Sequence, residues 1–154
     1  MRPGQRRLDW LGTGLRLTVG VVLLVAGALK VANPAASAMA VRAYQLLPYD
    51  LAGSVGYALP VVEILVGVLL VVGLFTRVAA SVAGALLLAF VVGIASVWAR
   101  GLSIDCGCFG GGGPVDAGRT AYPLELSRDL ALTLASGWLA VRPRTAYALD
   151  GRLT

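Results

Sequence analysis

The sequence has no histidine and few charged residues of either sign. Only 14% of its 154 residues are charged and 58% are hydrophobic, whereas a soluble domain has about 25% charged and about 45–50% apolar residues. The missing histidine removes the commonest general base and metal ligand, so no metal site is predicted. The shortage of charge excludes an ordinary soluble domain and predicts an integral membrane protein with a single domain over residues 1–154.

The chain is nevertheless basic, with a net charge of +5. A basic balance of this size can indicate nucleic-acid binding, but no segment combines basic and aromatic residues in the way that such surfaces do. Most of the arginines instead flank apolar runs. The charge therefore indicates membrane topology and not a nucleic-acid partner.

Four apolar segments predict an all-α, four-transmembrane-helix bundle. They cover about residues 11–31, 51–75, 78–99 and 124–141. The third segment has 22 uncharged residues between Arg77 and Arg100, and a helix of that length spans about 33 Å, which exceeds the hydrocarbon core. The fourth segment is the weakest, because Glu125, Arg128 and Asp129 crowd its first turns.

Two features of segment one carry separate expectations. Asn33-Pro34 is expected to end the helix, because a proline disfavours helical geometry in the residue before it. Arg16 is expected to extend toward the cytoplasmic headgroups. An alternative treats the segment as a signal peptide with Ala26-Gly27-Ala28 as the cleavage site, although the apolar run continues past that site.

Lysine and arginine are unevenly distributed between the two sets of loops. Eight lie in the two tails and the short turn after segment two: Arg2, Arg6, Arg7, Arg16, Arg77, Arg142, Arg144 and Arg152. Five lie in or beside the two longer loops: Lys30, Arg42, Arg100, Arg119 and Arg128. The positive-inside bias predicts a multi-pass protein of the cell membrane with both termini cytoplasmic and the loop before segment four outside the cytoplasm.

The only two cysteines, Cys106 and Cys108, lie in that loop, within Asp105-Cys106-Gly107-Cys108-Phe109-Gly110. Disulfides persist outside the cytoplasm, and a ring closed by two cysteines one residue apart is strained, which favours exchange over stapling. Gly107 allows the backbone angles that closure needs, and Asp105 is expected to raise the pKa of the neighbouring thiol. A redox-active dithiol is the favoured interpretation. Inert thiols, or metal binding completed by a second copy, are the alternatives.

Glu63 lies near the middle of segment two. A carboxylate at that depth is costly and is expected to be either protonated or paired. Lys30, near the outer end of segment one, and Arg128, at the start of segment four, are the candidate partners. The pair is interpreted either as an ion pair that fixes helix register or as a polar interior that relays protons or contacts a quinone carbonyl.

Taken in order, these motifs resemble the MauE/DoxX superfamily of small four-helix membrane proteins, over about residues 15–141. The motifs that carry the resemblance are Gly27-Ala28-Leu29-Lys30, Asn33-Pro34, Tyr44-Gln45-Leu46-Leu47-Pro48, Pro60-Val61-Val62-Glu63, Gly73-Leu74-Phe75-Thr76-Arg77 and the cysteine loop. The Cys-x-Cys spacing places the chain on the MauE side. The resemblance implies extracytoplasmic thiol–disulfide chemistry, with Cys106 and Cys108 as the redox pair and Glu63, Lys30 and Arg128 as the polar interior.

Two functional hypotheses follow from the resemblance. The first is a membrane thiol–disulfide oxidoreductase that acts on an extracytoplasmic thioredoxin-like or disulfide-rich partner and passes electrons to a quinone. The second is a non-enzymatic membrane anchor or maturation factor that docks such a partner. The second hypothesis gains weight because a thiol oxidase normally has another cysteine pair, and this chain has only one.

Overall fold

The computed structural model describes residues 3–153. Arg2, which entered the charge count, lies outside this range, and the side chain of Arg152 is not described. The helices are α1 (Pro3–Ala32), α2 (Pro34–Ala43), α3 (Tyr49–Val72), α4 (Thr76–Ala99), α5 (Tyr122–Val141) and α6 (Asp150–Leu153). Two short strands, β1 (Ile104–Asp105) and β2 (Gly113–Pro114), form an antiparallel hairpin, and a 3₁₀ turn covers Ala117–Arg119.

The predicted predominance of helix is confirmed. The first and third predicted segments lie within α1 and α4, the second corresponds to α3 but extends three residues past its end at Val72, and each of these helices is long and apolar enough to cross a membrane. The fourth predicted segment, residues 124–141, lies within α5. The three helices that meet the length and hydropathy requirements, within residues 3–153, are Gly4–Ala32, Tyr49–Val72 and Thr76–Ala99. The chain is therefore a multi-pass helical membrane protein.

Local sequence signals set the ends of the long helices. Asn33 and Pro34 separate α1 from α2, as predicted, and the Asn33 side chain accepts a hydrogen bond of 3.1 Å from the N–H of Ala36. The structure adds that a second helix, α2, begins immediately there. At the end of α3, Gly73 has a φ of 75°, and the left-handed conformation that glycine adopts readily closes the helix.

The four long helices form a bundle in which α1 packs mainly on α3 and α4 mainly on α5. Glycines allow α1 and α3 to approach closely. A Cβ atom at Gly20 would lie 3.1 Å from the carbonyl oxygen of Gly67, and one at Gly27 would lie 2.9 Å from that of Pro60. Small residues therefore bring the two backbones together, as is common between helices in lipid. The helix α2 packs on α3 beside the hairpin.

The prediction for Arg16 is wrong. Its side chain is 2% exposed, and Nη1 donates hydrogen bonds to the carbonyl oxygens of Leu70, at 2.7 Å, and Val71, at 3.2 Å. The last carbonyls of a helix have no partners within that helix. The guanidinium donates to two of those at the end of α3, so the Arg16 side chain is held inside the protein.

The two ends of the bundle are built differently. At one end, the loop after α2, the hairpin and the start of α5 pack together, since Tyr44 bonds to the backbone of Cys106 and Tyr122 to that of Leu102. At the other end, the C-terminal segment folds over the turn between α3 and α4. There the Asp150 carboxylate accepts hydrogen bonds of 2.7 and 2.8 Å from the N–H groups of Phe75 and Thr76.

Candidate functional site

The cysteine loop is held by the hairpin and seated on α2. Asp105 pairs with Gly113 in the hairpin, and the Asp105 carboxylate accepts a hydrogen bond of 2.9 Å from the N–H of Gly107. Gly107 has a φ of 69°, and a Cβ atom there would collide with the side chain of Ala40. Gly107 therefore adopts a left-handed backbone conformation that glycine allows, and no room is left for a side chain at this position.

Both sulfur atoms are buried beneath this loop and are not bridged. Cys106 is 7% exposed and Cys108 is 5% exposed. The N–H of Cys108 donates a hydrogen bond of 3.2 Å to Sγ of Cys106, and the hydroxyl of Tyr44 donates one of 2.8 Å to the carbonyl of Cys106. The two cysteines therefore occupy different environments, because only the sulfur of Cys106 accepts this backbone hydrogen bond.

The environment of Cys108 opposes ionisation. Its hydrogen bond with the Cys106 side chain, its burial and the negative charge of Asp129 together raise the pKa of the Cys108 thiol, while Arg128 opposes them. The sequence predicted that Asp105 would raise the pKa of the neighbouring thiol. The Asp105 carboxylate instead accepts a hydrogen bond from the backbone of the loop. Burial also raises the pKa of the Tyr44 hydroxyl, with smaller contributions from the two cysteines, so Tyr44 remains a donor.

The first two turns of α5 present acidic groups to the sulfurs. Sγ of Cys108 lies 4.0 Å from Oδ2 of Asp129, whose Oδ1 accepts a hydrogen bond of 2.8 Å from Nε of Arg128. Glu125, one turn earlier, interacts electrostatically with the Cys106 side chain, and its Oε2 is buried without a hydrogen-bond partner among the described residues. Arg128 was predicted as a site residue from the sequence, but Glu125 and Asp129 were not. They were interpreted only as charges that weaken the fourth span. Their i, i+4 spacing was the available signal, because it places them on one face of a helix.

The buried ion pair lies on the other side of the site. Nζ of Lys30 donates to Oε1 of Glu63 at 2.6 Å, and the two side chains are 2% and 0% exposed. Lys30 also lies over the ring of Phe90, 5.2 Å from its centroid. Of the two partners considered for Glu63, the structure brings Lys30 to it and pairs Arg128 with Asp129. Arg128 also lies over the ring of Phe109, at 4.8 Å.

A small cavity joins the ion pair to the cysteines. Its volume is about 10 Å³, and its polar lining comprises Glu63, Cys108, Arg128 and Asp129. Oε2 of Glu63 and Nη2 of Arg128 are buried without a hydrogen-bond partner among the described residues. A space of about this size holds at most one water molecule. The carboxylate of the ion pair and the acid group beside Cys108 thus face a shared polar space in the interior.

A larger apolar cavity lies beside this space. It has a volume of about 610 Å³, and its lining includes Tyr44, Leu59, Phe90 and Gly93. Phe90 lines both cavities and contacts Lys30, while Tyr44 bonds to the cysteine loop. The volume and apolar lining are typical of sites that bind small hydrophobic molecules.

A family model described as methylamine utilisation protein MauE matches residues 8–142, which include most of α1, all of α2 to α5 and the cysteine loop. No curated protein and no solved structure was found that matches the chain.

Proposed function

The chain belongs to the MauE family, and on that premise we propose that it is a membrane thiol–disulfide redox protein that works through Cys106 and Cys108. The observation that carries the proposal is the contact between the two cysteines. The amide of Cys108 lies 3.2 Å from the sulfur of Cys106, and acidic side chains lie beside both thiols. Thiols arranged with donors and acceptors in this way can exchange protons and electrons.

The proposed topology has four spans, both termini in the cytoplasm and the cysteine loop outside it, in the cell membrane. The charge bias of the loops supports this orientation. The separation of the bundle ends supports it too, because the C-terminal segment folds over the α3–α4 turn, and the cysteine loop packs with Tyr44 at the opposite end. The fourth span is α5, whose early charges are directed at the cysteine loop and Arg128 and so face protein instead of lipid.

The proposed partner is an extracytoplasmic thioredoxin-fold or disulfide-rich protein, and the family description suggests that it takes part in methylamine utilisation. Its dithiol reduces the Cys106–Cys108 disulfide, and the resulting dithiol passes two electrons and two protons to a quinone, which becomes a quinol. The apolar cavity beside Phe90 offers a volume that suits a quinone ring. In this scheme Glu63, Lys30 and Arg128 form the polar interior next to that cavity.

A second candidate function is a non-enzymatic anchor or maturation factor. Its supporting observation is the burial of both sulfurs, because a partner reaches them only when the loop opens. A slow opening suits a protein that docks and retains a partner through a mixed disulfide.

Electron exchange in a reconstituted system tests the proposal. We expect the purified protein in lipid nanodiscs, supplied with a soluble quinone, to oxidise a reduced thioredoxin-fold protein catalytically. The double variant Cys106→Ser/Cys108→Ser is expected to show no exchange, because the sulfurs carry the electrons. The readout is the amount of disulfide in the thioredoxin-fold protein after acid quenching. A mixed disulfide that forms without any dependence on quinone would favour the anchor function, and undiminished turnover by the double variant would overturn both proposals.

A further inference from the structure

We propose that Asp129 accepts the proton of Cys108 when the disulfide closes and returns it when the disulfide opens. The inference rests on the proposed function, since it assigns the proton that disulfide exchange at this site has to move. It adds a residue of α5 to the site and gives the two cysteines different tasks.

The two oxygens of the Asp129 carboxylate are used differently. Oδ1 accepts the hydrogen bond from Nε of Arg128 at 2.8 Å, which fixes the carboxylate, whereas Oδ2 faces Sγ of Cys108 at 4.0 Å. Asp129 is 2% exposed, so water has little access to compete for the thiol proton. Catalytic hydrogen bonds are commonly long in the resting protein and shorten during reaction. The carboxylate is therefore placed as a general base for this one sulfur.

Cys106 has the complementary environment. Its sulfur accepts the N–H of Cys108, whereas the sulfur of Cys108 is the one that faces the Asp129 carboxylate. Cys106 is therefore the sulfur that forms the mixed disulfide with the partner, and Cys108 is the sulfur that resolves it.

Each step balances in atoms and electrons. The Cys106 thiolate attacks a partner disulfide, forms a mixed disulfide and releases one partner thiolate. Cys108 then transfers its proton to Asp129 while its sulfur attacks Cys106, so the internal disulfide closes and the second partner thiolate leaves. The cysteine pair loses two electrons and the partner gains them. Asp129 then releases the Cys108 proton to the departing partner thiolate, and the proton that Cys106 lost on becoming a thiolate is matched by the one that the other partner thiolate takes up. In the oxidising direction the steps are reversed, and Asp129 protonates the departing Cys108 sulfur.

Several other titratable or charged groups surround the site of Asp129. Arg128, Glu125, Cys108, Tyr44 and Glu63 interact with Asp129 or share its cavity, and Cys106 and Lys30 lie behind Cys108 and Glu63, respectively. Glu125 is the strongest competitor for the role, because it is also a carboxylate with a buried oxygen near the cysteine pair, although it interacts with Cys106 and not with Cys108. Glu125→Gln is therefore the matched control.

Rapid-quench measurement of disulfide closure tests the assignment on the full-length protein. The reduced protein is mixed with oxidised glutathione as the probe, and the loss of the glutathione adduct at Cys106 is followed by mass spectrometry. We expect the closure rate of the unmodified protein to be nearly constant from about pH 6 to about pH 8, because a base inside the protein, and not ionisation of Cys108 in solvent, takes up the thiol proton. In Asp129→Asn, closure requires free ionisation of Cys108, so the rate is expected to rise about tenfold per pH unit.

At about pH 6, the Asp129→Asn variant is expected to close about 10²-fold more slowly than the unmodified protein. If Asp129 acted only through its negative charge, Asp129→Asn would speed closure instead of slowing it. Removing the negative charge lowers the pKa of Cys108 and so favours thiolate formation. Asp129→Glu is expected to restore the flat profile, and Glu125→Gln is expected to keep it. A role confined to folding would instead lower the rate equally at every pH.

The outcomes separate this inference from the function on which it rests. If the unmodified protein forms no Cys106–Cys108 disulfide at any pH, the proposed function fails. If it forms the disulfide but its own rate rises tenfold per pH unit, the role of Asp129 is refuted, and this comparison needs no variant to fold. A flat profile in Asp129→Asn, or a steep one in Glu125→Gln, also refutes it.

Discussion

Cys108→Ser is expected to accumulate as a mixed disulfide between Cys106 and the partner, with turnover reduced about 10³-fold or more. The hydrogen bond to the Cys106 sulfur remains possible in this variant, because its donor is the backbone N–H of residue 108. Cys106 can therefore still attack a partner that is in its disulfide form, but no second sulfur is present to release that partner. Non-reducing electrophoresis of membranes, followed by mass spectrometry of the shifted band, measures the adduct.

The reciprocal variant is the matched control for this trap. Cys106→Ser is expected to lose turnover to the same extent but to form little adduct, because burial and the negative charge of Asp129, which both remain in this variant, raise the pKa of the Cys108 thiol. Adduct formation in Cys106→Ser that equals or exceeds that in Cys108→Ser would reverse the assignment of the two sulfurs. Equal labelling of both variants by a small maleimide after detergent denaturation shows that both retain a free thiol.

Lys30→Met is expected to destabilise the protein by about 3–5 kcal/mol, because it leaves the fully buried Glu63 carboxylate without its partner. Methionine fills nearly the same volume, so the loss reports on charge and not on packing. The double variant Lys30→Met/Glu63→Leu is expected to recover most of the stability, since an apolar pair often replaces a buried ion pair at little cost. Reversible unfolding in mixed micelles measures both effects.

A control for this cycle lies on the same helix. Arg6 is exposed, and Arg6→Met is expected to change the free energy of unfolding by less than about 0.5 kcal/mol. If the double variant were as unstable as Lys30→Met, the loss would have to come from something other than the unpaired carboxylate. If Lys30→Met were as stable as the unmodified protein, the ion pair would have no role in holding α1 against α3.

The parts of the fold that follow local rules could be predicted from the sequence. The uncharged stretch between Arg77 and Arg100 corresponds to α4, and the Asn33-Pro34 pair separates α1 from α2. The short helix α2 was not predicted because its ten residues lie in an interhelical loop and do not form an apolar run long enough to signal a span. Its start depends on the Asn33 cap, and its place depends on packing against α3.

The parts that depend on how helices face one another could not be predicted. The sequence was consistent with two partners for Glu63. To choose Lys30 over Arg128, one has to know which face α5 turns toward the bundle. Asp129 was overlooked for the same reason. Its contact with Cys108 exists only because the cysteine loop packs against α5. Arg16 was misplaced because the unpaired carbonyls that hold it lie on another helix, 54 residues away for the closer contact.

Reversible reduction of the cysteine pair in intact cells tests the central claim most directly. Cells are treated with a membrane-impermeant phosphine, washed, and quenched at intervals with acid, and the redox state of Cys106 and Cys108 is determined by alkylation and mass spectrometry. We predict that the pair is an intramolecular disulfide before treatment, becomes a dithiol while the reductant is outside the cells, and reoxidises after washing. A pair that never forms this disulfide, or that responds to the phosphine only in broken cells, would contradict an exchange site outside the cytoplasm.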